Sequence, residues 1–73
     1  MQITINNVTE EKVQRAMAEI RKNGGTVAGN SFNVKGVAGK YFLHGSTLTI
    51  VINSKPWYAP ESKIESELRK FFG

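Results

Sequence analysis

The sequence predicts an α+β domain with two layers in the order β-α-β-β-β-α, an antiparallel sheet carrying both helices on one face. Three observations carry this expectation. Two segments, residues 10–22 and 60–72, each set their apolar residues on one helical stripe. Between them, residues 26–53 are rich in Val, Ile, Thr, Phe and Tyr and are punctuated by glycine, the composition of short strands. With 73 residues, no cysteine and one histidine, the chain has room for a single domain, 1–73, held by apolar packing alone. A domain of this size buries only roughly 60% of the surface its unfolded chain exposes, so each core residue matters.

The elements follow in order. Ile3 and Ile5 alternate with Gln2, Thr4 and Asn6, which predicts a first strand over 2–6. Thr9 is placed to cap a helix over 10–22, with Glu10 and Glu11 in its first turn, where negative charge is favoured. Val8 and Val13 flank that cap at the spacing of a hydrophobic staple. Val13, Ala16, Met17 and Ile20 form the apolar stripe, and Asn23-Gly24-Gly25 ends the helix. Three strands are then expected, at 26–34, 38–44 and 47–53, with turns at Lys35-Gly36 and at His44-Gly45-Ser46-Thr47. Leu48, Ile50 and Ile52 point to the core side of the last strand, and Tyr41 and Leu43 do so in the strand before it.

Pro56 and Pro60 stiffen the connector that follows. The final helix opens at Pro60, or at Ser62 if Ser62 and Glu65 act as a capping box. Ile64, Leu68, Phe71 and Phe72 give it a core stripe. The expected core is Ile3, Ile5, Val13, Met17, Ile20, Tyr41, Leu43, Leu48, Ile50, Ile52, Ile64, Leu68 and Phe71.

One stretch has the look of a known family. Gly36-Val37-Ala38-Gly39-Lys40-Tyr41-Phe42-Leu43 is followed by Leu48-Thr49-Ile50, Lys55-Pro56-Trp57 and Ser62-Lys63-Ile64-Glu65. In order and spacing this resembles the bacterial polyhydroxyalkanoic acid system proteins, over Phe32 to Phe72. The resemblance implies a cytoplasmic bacterial accessory protein that meets a protein partner or a polyester granule surface. It brings no catalytic residues and no cofactor with it. Gly36 and Gly39 read as a strand bend or bulge, since no helix follows them as a phosphate-binding loop requires.

Chemistry-bearing residues are sparse. His44 stands beside a hairpin turn with Ser46 and Thr47, in a chain that has no aspartate, and a serine near a histidine in a turn is ordinary turn chemistry. All six carboxylates are glutamates on expected helices, most with a basic residue four away: Glu11–Arg15, Arg15–Glu19, Lys63–Glu67 and Glu65–Arg69. The chain is therefore expected to be no enzyme and to need no cofactor or metal. The candidate contact residues are Lys40, Phe42, His44 and Val51 on the outward row of the sheet, and Lys55, Trp57 and Tyr58 in the connector. Self-association into a homodimer is one use of such a row.

The net charge of +4 raises a second reading, an RNA-binding module. The order α-β-β-β-α matches that of double-stranded RNA readers, but their lysine cluster at the final helix is here Ala59-Pro60-Glu61-Ser62-Lys63. A glutamate where phosphates should dock weakens this reading, so it ranks second. No apolar run reaches the length of a membrane span, and the amino terminus lacks the pattern of a signal peptide, which makes the cytoplasm the expected location.

Overall fold

The computed structural model describes residues 1–56 and 58–72. Its elements are β1 (Gln2–Ile5), α1 (Glu10–Lys22), β2 (Thr26–Ala28), β3 (Ser31–Val34), β4 (Val37–His44), β5 (Thr47–Ser54) and α2 (Glu61–Phe72). The α+β class and the antiparallel sheet agree with the sequence, while the strand count rises by one. The expected strand over 26–34 is a hairpin, so the order is β-α-β-β-β-β-α. Gly29, at φ +58, turns the chain between Ala28 and Ser31, which face each other across the pair. Gly29-Asn30 is a two-residue hairpin loop with glycine first, a signal present in the sequence.

The five strands lie in the order β1-β5-β4-β3-β2, each antiparallel to its neighbour. All three hairpins close through two residues: Gly29-Asn30, Lys35-Gly36 and Gly45-Ser46. α1 joins the two edges, leaving β1 on one side of the sheet and entering β2 on the other. It starts where expected: the Thr9 hydroxyl accepts from the Lys12 amide at 3.2 Å, and Val8 and Val13 are both buried. It also ends where expected. Gly24, at φ +85, lets its own amide reach the Arg21 carbonyl at 3.1 Å and the Gly25 amide reach Ile20 at 2.9 Å. These two bonds satisfy carbonyls the helix would otherwise strand. α2 opens at Glu61, with the Pro60 carbonyl accepting from Lys63 and Ile64, so Ser62 lies inside the first turn and is no cap.

Register assigns the core. Ile3 faces Ile50, Ile5 faces Leu48, and Phe32 faces Gly39, so these pairs share one side of the sheet. Ile3, Phe32, Leu48 and Ile50 of that row and the stripes Val13-Ala16-Met17-Ile20 and Ile64-Leu68-Phe72 belong to one buried cluster. Four expected core residues, Ile5, Tyr41, Leu43 and Phe71, are only partly buried against it. For β4 the reason is topological. β3 pairs no further than Ser31 with Lys40, so the end of β4 has β5 as its one strand neighbour. On α2, Phe72 continues the four-residue spacing of Ile64 and Leu68 and takes the buried place, leaving Phe71 at the edge of the stripe. Phe32 and Val34 are buried and were not expected, because reading 26–34 as one strand hid which of its residues face inward.

Gly39 is where packing is tightest on the sheet. A β-carbon there would lie 2.5 Å from the Val51 carbonyl oxygen and 3.2 Å from Cζ of Phe32. Its lack of a side chain lets the Phe32 ring lie across β4, and the ladder to β5 shifts register between Ala38 and Gly39. The bulge expected from sequence is therefore present. Gly36, at φ +80, serves the β3–β4 turn instead.

Candidate functional site

Two surfaces hold the candidate residues. The first is the row of the sheet opposite the core. Lys40 faces Val51, Phe42 faces Thr49 and His44 faces Thr47, and these six residues share one side of the β4–β5 ladder. β1 extends the same row with Gln2 beside Val51 and Thr4 beside Thr49. Phe42 is 41% exposed, Lys40 and His44 are exposed, and Val51 is half-buried. The structure thus brings Lys40, Phe42, His44 and Val51 together as the sequence predicts. A phenylalanine this open to water in the middle of a hairpin gains only part of the burial a core position would give, beside its fit to a pleated strand.

His44 has no side-chain hydrogen bond to any described residue, and the Ser46 carbonyl in the adjacent turn accepts instead from the Val8 amide at 2.8 Å. Among the described residues no three His, Cys, Asp or Glu side chains gather in a way that would hold a metal ion. No described helix is long and apolar enough to cross a membrane.

The second surface is formed by the connector. Trp57 lies outside the described residues. Lys55 donates to the Ala59 carbonyl at 3.2 Å from a partly buried position, so its ammonium closes the connector on itself. Tyr58 is 73% exposed. Beside it runs an open groove of about 420 Å³, which sequence reasoning missed entirely. Val34 and Val37 line it from the β3–β4 hairpin, and Ile64, Leu68 and Phe71 line it from α2. Pro56, Tyr58, Ala59 and Pro60 line it from the connector, and Lys35, Lys63 and Glu67 add charge to its lining. Nothing short-range in the sequence marks this groove, because its walls come from a hairpin and a helix that lie far apart along the chain.

Charge is divided between the elements. Every carboxylate lies on α1 or α2, and there the expected pairs form in part: Glu11 with Arg15 at 2.6 Å and Glu65 with Arg69 at 3.0 Å. Glu67 turns to Lys70 at 3.6 Å rather than to Lys63, and Arg15 is held by Glu11 rather than Glu19. The strands and connectors carry Lys35, Lys40 and Lys55 and no carboxylate at all.

No family model matches the chain, and neither the curated proteins nor the solved structures include a significant match to it.

Proposed function

We propose that this chain is a non-enzymatic accessory protein that works by surface contact, through the row Lys40, Phe42, His44 and Val51. The observation that carries the reading is the exposure of Phe42 on the side of the sheet away from the core. An aromatic ring ringed by Thr49, Thr47 and Lys40 is an apolar centre with a polar fringe, the make-up of a contact hot spot. The resemblance of residues 32–72 to polyhydroxyalkanoic acid system proteins gives this surface its setting: the cytoplasm of a bacterium, and a protein or a polyester granule as the thing contacted. A second copy of the chain is one such protein partner.

The test is Phe42→Ser, assayed by co-sedimentation with polyester particles and by sedimentation velocity of the protein alone. The native chain should associate with the particles or with itself, and the variant should lose that association with its circular dichroism unchanged. A variant that binds as well as the native chain removes the reading.

One observation favours a second reading, an RNA-binding module. The absence of carboxylates from every strand leaves Lys40 beside an exposed aromatic with no nearby like-element anion. Titration with a labelled single-stranded RNA at two salt concentrations decides it. Binding that weakens steeply with salt supports RNA, and no binding at low salt excludes it.

A further inference from the structure

The groove between α2 and the β3–β4 hairpin carries an inference separate from the sheet row. Its volume, about 420 Å³, falls within the roughly 300–1,000 Å³ typical of small-molecule sites. Its floor is apolar, made by Val34, Val37, Ile64, Leu68 and Phe71. Its lining is charged in a particular way. Lys35 and Lys63 both belong to it, and neither has an ion-pair or hydrogen-bond partner among the described residues. Glu67, the one carboxylate in the lining, is engaged by Lys70.

A further observation singles out Lys35. It occupies the first position of the β3–β4 turn at φ +51, in the left-handed region, ahead of Gly36 at φ +80. A turn with both central residues at positive φ favours Asn, Asp or Gly at the first place. Lysine fits there with strain, and strained residues gather where a side chain is needed for something other than folding. What lysine supplies and asparagine would not is a mobile ammonium at the mouth of an apolar groove.

We infer that this groove binds an amphiphilic monoanion, an aliphatic carboxylate whose chain lies along the floor while its head group meets Lys35 and Lys63. The charge complementarity selects the occupant: an uncharged chain would leave both cations without a partner, and a small polar anion would leave the floor empty.

The probe is monomeric sodium decanoate, followed by calorimetry and by backbone amide shifts of the whole chain. Saturable binding is expected, with the largest shifts at Val34, Val37, Ile64 and Leu68. Octanoate, two methylenes shorter, should bind roughly fifteenfold more weakly, since each buried methylene contributes a factor of about four. Lys35→Asn keeps a residue that tolerates positive φ and Lys63→Gln changes an exposed helix position, so both variants should stay folded. Each should weaken decanoate about three- to fivefold, the scale of a solvent-exposed ion pair. Phe42→Ser should leave decanoate affinity unchanged, which separates this site from the contact row. Three results would overturn the inference: no saturable shifts, decanol binding as tightly as decanoate, or shifts centred on Phe42 and Thr49.

Discussion

The two sides of the β4–β5 hairpin come from alternate residues of the same strands, yet they differ in nearly every physical respect. One side presents Leu48, Ile50 and Ile52, all buried within the core cluster. The other presents Thr47, Thr49 and Val51, partly buried, beside Lys40, Phe42 and His44, all exposed. Backbone conformation and hydrogen bonding are common to both. What separates them is the company each side keeps, so the burial of a strand residue is decided by neighbours far away in sequence. The teaching is that the same hairpin both holds this domain together and offers it to partners, and that substitutions one residue apart should have opposite kinds of consequence.

That contrast can be broken at three depths. Ile50 has no exposed surface and sits at the centre of the cluster. Ile50→Ala should cost about 3–4 kcal/mol, through lost apolar contact and the cavity left behind. In so small a domain that removes most of the stability, and urea unfolding would show it as a collapsed or absent transition. Gly39 lies on the core side as well, but the harm there comes from adding atoms. Gly39→Ala should cost about 2 kcal/mol, because a methyl group would press on the Val51 carbonyl and the Phe32 ring. An unchanged urea midpoint would mean that the bulge yields more easily than the geometry implies. Phe42→Ser, next door on the open side, should cost about 1 kcal/mol, the scale of strand propensity at a half-covered position. A loss several times larger would place Phe42 in the core and erase the contrast.

Much of this architecture was legible because local signals and tertiary packing agree. Thr9, Val8, Val13 and the glycine pair at 24–25 specify α1 from within a few residues, and each does in three dimensions what its spacing implies. The strict alternation of β5 did the same for its buried face. Legibility failed where a decision depended on two segments at once. Phe32 is buried because Gly39 on another strand makes room for it, and no window around Phe32 contains that fact. The Gly29-Asn30 turn has a local signal, but the residues on both sides share one strand-like composition that masks it. Of the site, the row Lys40, Phe42, His44 and Val51 follows from alternation alone. The groove does not, and neither does the release of Lys63 by Glu67, which rests on a choice between two lysines on one helix.

The placement of β1 has a consequence for how the chain assembles. Its four residues pair only with Leu48–Val51, more than forty positions downstream, whereas β2 to β5 are stitched by two-residue loops. Nearby segments meet quickly and distant ones slowly, since a long loop must be closed before the contact rewards it. During synthesis the first strand therefore emerges with nothing to pair with, and waits for the hairpin that completes its template. Pulse-labelled amide exchange during refolding should show Gln2–Ile5 protected after residues 37–54. Sequence separation alone makes Gln2–Ile5 the strand expected to join the sheet last.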